Sequence, residues 1–215
     1  MRFLSFGRAL DAAARIARLK NALNAALRTA DHVVISGDLT ESGTAEQFEA
    51  FGQALEDGHV DRERLTLVPG NHDAYSSADA WTRALDGPLR RYRDASAAEP
   101  GKLIERGGLS ILPLDVAFHQ PVTRSAGLVT NDHASRAWQW IDGLSGAARL
   151  TALLTRFPEV HVMHGHLHRV IDRAIETVRT RVFGAPALVE DRNETPRVRL
   201  YEVRAGVVHS IGLAA

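Results

Sequence analysis

The period of the apolar positions changes along this chain, and each change marks a new element. Residues 2–5 are a short apolar run and a candidate first strand. Between residues 9 and 30, Ile16, Leu19, Leu23 and Leu27 recur at three- and four-residue spacing, which predicts an amphipathic helix. The β-branched run at 32–36 stops at Gly37 and predicts a buried strand. Phe48, Phe51 and Leu55 mark a second helix closed by Gly58, and Leu65–Val68 is a second buried strand stopped by Pro69-Gly70. Residues 88–101 are polar and weakly periodic, the pattern of a surface excursion.

Residues 103–105 and 109–114, split by Gly107-Gly108, predict a hairpin. Asn131 can cap a helix carrying Trp138, Ile141 and Leu144, and Leu150, Leu153, Leu154 and Phe157 predict another helix directly after it. Residues 160–163 read as a strand ending at Gly165. From Val170 to Leu213 the pattern is strand-like, with turns near Gly184-Ala-Pro186, Arg192-Asn193 and Ala205-Gly206. Alternating helices and strands followed by a β-rich end predict an α/β protein, with a mixed sheet or two facing mixed β-sheets flanked by helices.

Composition narrows the class. A chain of 215 residues is of single-domain length, so residues 1–215 are expected to form one domain. Lys+Arg 26 balance Asp+Glu 26, and this neutrality gives no reason to expect a nucleic-acid partner. With Cys 0, disulfide scaffolds and thiol nucleophiles are excluded. No apolar window approaches the roughly 18 residues of a membrane span, and the run at the start is too short for a secretory signal. A soluble, cytoplasmic protein is the expectation.

The candidate chemistry lies in three clusters, each following a predicted strand. Gly37-Asp38 follows 32–36, Gly70-Asn71-His72-Asp73 follows Leu65–Val68, and Gly165-His166-Leu167-His168 follows 160–163. In α/β folds, loops at the carboxyl ends of strands converge to form sites. Carboxylate, amide and imidazole together, without thiolate, are a mixed N/O donor set suited to Zn, Mn, Fe or Ni.

These three clusters resemble the second, third and last motifs of the calcineurin-like metallophosphoesterases, and Leu39-Thr40-Glu41-Ser42-Gly43 and Val68-Pro69 extend the match. The segment Ser36-Gly-Asp-Leu-Thr40 resembles the bacterial cyclic-nucleotide phosphodiesterase branch. The resemblance implies an αββα sandwich and two divalent ions (Mn, Fe or Zn) that activate water to hydrolyse a phosphate ester, in this branch a phosphodiester such as a cyclic nucleotide. It gives Asp38 the role of bridging ligand, Asn71 and His166 to one ion, and His168 to the other. His72 would face the scissile phosphate, and Asp73 would support the site or cap a helix rather than ligate.

The pattern is also incomplete. The family's first motif, Asp-x-His, is absent from Phe3-Leu-Ser-Phe-Gly-Arg8, and its fourth motif, a histidine at a strand end, is missing between Leu144 and Leu150. One ion would keep Asp38, Asn71 and His166, and the other only Asp38 and His168; three protein ligands hold a catalytic ion where two do not hold one tightly. His164 and His119, in His119-Gln-Pro121, are substitute ligands to consider. Asp31, His32, His59, His133 and His209 read as surface or satisfied residues, and Trp138 and Trp140 as packing or interface residues. The sheet is expected to lack one strand, and an exposed edge there would invite a homodimer. Alongside the enzyme stand two other readings, a non-catalytic metal- or ligand-binding relative and a trimmed form of a complete enzyme.

Overall fold

In the computed structural model, which describes residues 11–121, 125–128, 144–145, 147–175, 180–188, 198–205 and 207–214, the first helix begins at a cap the sequence supplies. The Asp11 carboxylate accepts the Ala14 amide at 3.0 Å, satisfying one of the orphan donors of helix α1 (Ala12–Thr29). Ala22, Leu23 and Ala26 form its buried stripe. Strand β1 (Val33–Ser36) follows, and then helix α2 (Ala45–Asp57), which buries Phe48, Phe51, Ala54 and Leu55 and closes at Gly58. Strand β2 (Leu65–Val68) pairs parallel with β1, Val33 opposite Leu65 and Ser36 opposite Val68. The two strands therefore end level, and the turns Gly37-Asp38 and Pro69-Gly70 emerge side by side.

Residues 88–101 are not a surface excursion. Helix α3 (Ala80–Asp86) and the 3₁₀ segment Arg90–Ala95 fold back over β2. Leu89 and Tyr92 are among the largest fully buried side chains. The Tyr92 hydroxyl donates to the Val60 carbonyl at 3.1 Å, the Ala97 amide donates to the Leu67 carbonyl at 2.9 Å, and the Trp81 indole N–H donates to the Ala97 carbonyl at 2.7 Å. The segment looks polar because Arg90, Arg91 and Asp94 face water while the residues between them enter the core. That core joins Leu23 of α1, the apolar face of α2, Leu65 and Leu67 of β2, Trp81 and Leu85 of α3, and Tyr92.

The predicted hairpin forms as strands β3 (Ile104–Arg106) and β4 (Leu109–Ile111). Leu144 does not end a helix: Leu144–Ser145 is a short strand, β6, parallel to β5 (Gly127–Leu128) and immediately before helix α4 (Ala147–Arg156). The chain thus enters α4 from an extended segment rather than from a preceding helix. Residues 2–5, His133, Trp138, Trp140 and Ile141 lie outside the described residues.

Strand β7 (Val162–His164) pairs parallel with β9 (Arg181–Gly184), which pairs antiparallel with β8 (Ile171–Ala174). Strands β10 (Val198–Arg204) and β11 (Val207–Ala214) make an antiparallel ribbon with a register shift at Leu200/Tyr201. The architecture is mixed α/β, as the patterning predicts, and the pairings among the described residues form five small sheets. Among the described residues no helix is long and apolar enough to cross a membrane.

The placement of 88–101 gives a direct test by urea unfolding. Leu89→Ala should cost about 2–5 kcal/mol, the range for a buried leucine truncation, whereas exposed Arg91→Ala should stay within about 0.5 kcal/mol. Equal and small effects at both positions would return the segment to the surface.

Candidate metal centre

Loops from β1, β2 and β7 converge because the backbone approaches itself where only glycine fits. A Cβ on Gly70 would overlap the Asp38 backbone nitrogen and its carboxylate oxygen, and one on Gly165 would overlap the Ser36 carbonyl oxygen. The absence of a side chain at these two positions lets the ends of β2 and β7 press against the end of β1.

The second organising group is Asp73, which is fully buried. Its Oδ2 accepts the amides of Leu39 (3.0 Å) and Gly70 (2.8 Å); its Oδ1 accepts the amide and hydroxyl of Thr40 (both 2.8 Å). Burial pushes this carboxyl up to about 6, against the opposing pull of those donors, with the charge of Asp38 adding to the rise. Asp73 therefore ties the loop after β1 to the loop after β2.

On this frame sit the candidate ligands. Asp38 Oδ1 accepts the His72 backbone amide at 3.2 Å, which fixes the carboxylate beside the Asn71-His72 turn. Asn71, 7% exposed, donates through Nδ2 to the Tyr75 hydroxyl at 2.5 Å. Its Oδ1 lies 3.0 Å from His166 Nδ1, although 95 positions separate the two residues in the chain. Asp38, Asn71, His72 and His166 are thereby brought together; His168 stands two residues further along the same loop. Backbone strain is concentrated here. Of the five non-glycine described residues with positive φ, three are Asp38 (φ 53°), His166 (φ 69°) and His168 (φ 50°). Such conformations cost on the order of 1–3 kcal/mol each and persist where the surroundings enforce them, most often at functional sites.

The His72 ring is held by its neighbours. Nδ1 lies 2.8 Å from the Glu41 carbonyl, which can only accept, so Nδ1 carries the proton and Nε2 is the imidazole's remaining functional atom. Glu41 is in turn paired with Arg15 of α1 at 2.5 Å. The Tyr75 ring packs on His72 with centroids 4.8 Å apart. Burial, together with the Asp38 and Glu41 carboxylates, raises the Tyr75 phenol above its ordinary value, against the opposing hydrogen bond from Asn71. Of the substitute histidines, His164 Nδ1 donates to the Gly165 carbonyl (2.8 Å) and His119 Nδ1 to the Ala74 carbonyl (3.0 Å), the arrangement seen at His72. His32 Nε2 contacts the Thr66 hydroxyl at 2.9 Å, away from the strand ends.

Tyr75 is the site residue the sequence reading omits. No pattern in the sequence marks it: Tyr75 meets Asn71 because both residues have helical backbone on either side of the 3₁₀ turn at His72–Ala74.

The donor set fits a divalent cation. The Asn71 oxygen can only accept, so His166 donates to it from Nδ1–H at 3.0 Å and keeps the lone pair of its Nε2 for a cation. Among the described residues no three histidine, aspartate or glutamate side chains form a metal cage.

Asp115, which follows β4, accepts the Ala117 amide at 2.9 Å. Burial pushes its carboxyl up to about 6, the Ala117 hydrogen bond opposes this, and the charge of Asp73 adds to it. The folded state favours the protonated form, so the contribution to stability is full at low pH and is lost as pH rises from about 4 to about 6.

Two outcomes follow from this geometry. In chelator-treated protein, stability should decline from pH 4 to pH 6, and Asp115→Asn should shrink that decline by an amount on the order of 2 kcal/mol, leaving the part due to Asp73; an identical decline in the variant would dissociate Asp115 from it. Gly165→Ala should lower the thermal midpoint and weaken metal uptake together, because a methyl there pushes the His166 loop off β1. Unchanged metal uptake in that variant would show that the close approach is dispensable.

Two comparisons bear on this arrangement. A family model described as calcineurin-like phosphoesterase matches residues 11–170. A search of the curated proteins finds no match.

Proposed function

We propose that this chain, which belongs to the calcineurin-like phosphoesterase family, is a metal-dependent hydrolase of phosphodiesters whose ions are held by Asp38, Asn71, His166 and His168. Members of the family are metal-dependent hydrolases of phosphoric esters. The observation that supports the site is the meeting of Asp38, Asn71, His72 and His166 at three strand ends, with two candidate ligands 3.0 Å apart and three in enforced left-handed backbone. The phosphodiester preference rests on the wording Ser36-Gly-Asp-Leu-Thr40.

In this reading Asp38, Asn71 and His166 hold one divalent ion, and Asp38 and His168 hold a second more weakly. When bound, such ions polarise the phosphate and lower the pKa of water toward about 7. The protein's own groups do the rest. Asp38 supplies the negative charge that lets cations approach one another. His72, its Nδ1–H held by the Glu41 carbonyl, presents Nε2 to the ester, where in the protonated form it donates to a phosphate oxygen and delivers a proton to the leaving alkoxide. Arg15 neutralises Glu41 and keeps that carboxylate from repelling an anionic substrate.

A second reading, a binding module that retains metal without turnover, is favoured by the lack of a three-residue histidine, aspartate or glutamate cage among the described residues. Metal content by elemental analysis and hydrolysis of bis-p-nitrophenyl phosphate separate the two. The parent should show manganese- or zinc-dependent turnover. Asp38→Ala should lose both metal and activity, whereas His72→Ala should keep its metal and lose about 10²–10⁴-fold in turnover. Metal without turnover in the parent selects the binding module; loss of metal in His72→Ala removes the role given to that imidazole.

A further inference from the structure

We infer that the cavity between α3 and residues 97–100 and 113–115 is a second ligand site, which takes a small organic amine as its ammonium on the Asp115 carboxylate. The site shares no residue with the metal centre and stands independently of the phosphoesterase reading. The cavity holds about 200 Å³. An apolar cavity of about 150 Å³ holds benzene, so this one has room for a ring with a short substituent. Trp81, Leu85 and Pro113 line it and are buried, while Glu99 and Pro100 line it and are exposed, so it opens to solvent on their side.

Asp115 gives the cavity its chemistry. Among the described residues its only hydrogen bond comes from the Ala117 amide to Oδ1 at 2.9 Å, which leaves Oδ2 without a donor. That oxygen is not sealed away: the described side-chain atoms buried without a partner are His32 Nδ1, Thr180 Oγ1 and Arg199 Nε. Oδ2 is therefore open to the cavity that Asp115 lines. No described cation of the protein compensates it. Arg93 lines the same cavity but is paired with Asp86, and the charge that acts on Asp115 is that of a second carboxylate, Asp73. A carboxylate so placed among apolar groups calls for a donor that carries positive charge. The other walls decide which kind. Trp81 spends its N–H on the Ala97 carbonyl at 2.7 Å, so the indole offers the cavity ring surface alone, suited to hydrocarbon or to a cation. A hard metal ion takes about six or more oxygens, which Trp81, Leu85 and Pro113 do not supply. An anion would meet Glu99 on the open side and Asp115 within. An ammonium on a short apolar body satisfies the whole set, with N–H donors for Oδ2 and hydrocarbon for the ring and aliphatic walls.

Benzylammonium chloride is the probe, titrated into the full chain by calorimetry at pH 8, where a carboxyl pushed up to about 6 is ionised. Saturable binding at one site per chain is expected. Benzyl alcohol has the same body without the charge and should bind about 10–100-fold more weakly, the range for a hydrogen bond to a charged group. Benzoate should not bind. Asp115→Asn keeps the shape and removes the charge, so it should bring benzylammonium down to the affinity of benzyl alcohol. Benzyl alcohol itself should bind parent and variant alike, which reports an intact cavity. Lack of saturable benzylammonium binding in the parent overturns the inference, as does equal affinity for benzylammonium and either of the other two probes. Undiminished benzylammonium affinity in Asp115→Asn overturns it too. Loss of both benzylammonium and benzyl alcohol from that variant does the same, because Asp115 would then shape the cavity rather than recognise charge. None of these outcomes bears on the metal centre.

Discussion

A single buried carboxylate organises the site. Asp73 gathers four donors from Leu39, Thr40 and Gly70, three residues on the two loops that the paired ends of β1 and β2 deliver side by side. A buried charge is tolerable only when its oxygens are saturated, and a buried amide only when it has an acceptor. Each loop therefore solves the other's problem: β1 and β2 have used up their backbone partners by Ser36 and Val68, and Asp73 takes over where the ladder stops. Asp38 then has its place beside the His72 amide, the first N–H of the 3₁₀ turn at His72–Ala74.

The site is assembled under strain that glycine and Asp73 make bearable. Gly70 and Gly165 allow backbone contact closer than any side chain permits. Left-handed conformations at Asp38, His166 and His168 bend the chain sharply away from the direction of the strands it has just left. The chain thus spends conformational freedom at positions that carry donor atoms, while its regular elements end at a conventional cap such as Asp11 or a closing glycine such as Gly58.

The sequence was most legible where local pattern and tertiary role coincide. Helices α1 and α2, strands β1 and β2 and the β3–β4 hairpin follow from periodicity and turn chemistry, and the motif residues follow from their position after strands. Residues 88–101 were misread because their arginines are the solvent side of a short helical segment, too brief for a period to show, whose Leu89 and Tyr92 lie in the core. Leu144 was misread because an apolar residue at helical spacing also suits a strand of two residues. Tyr75 was invisible as a site residue because its role depends on the 3₁₀ turn at His72–Ala74, and Asn71 and Tyr75 show no period of their own.

The contact between Asn71 and His166 spans 95 positions of chain, and that between Gly165 and the Ser36 backbone is longer still. Closures of that length carry an entropy cost that local turns do not, and they are made only once the intervening elements have condensed. The two halves of the site, one built by β1 and β2 and the other by β7, therefore belong to different stages of folding. Asp73 can lock the first half as soon as two neighbouring strands meet, but the His166 imidazole joins only after the 95 positions that separate it from Asn71 have folded between them. During synthesis from the N-terminus, the contact between Asn71 and His166 therefore forms well after the Asp73 knot that holds the loops of β1 and β2.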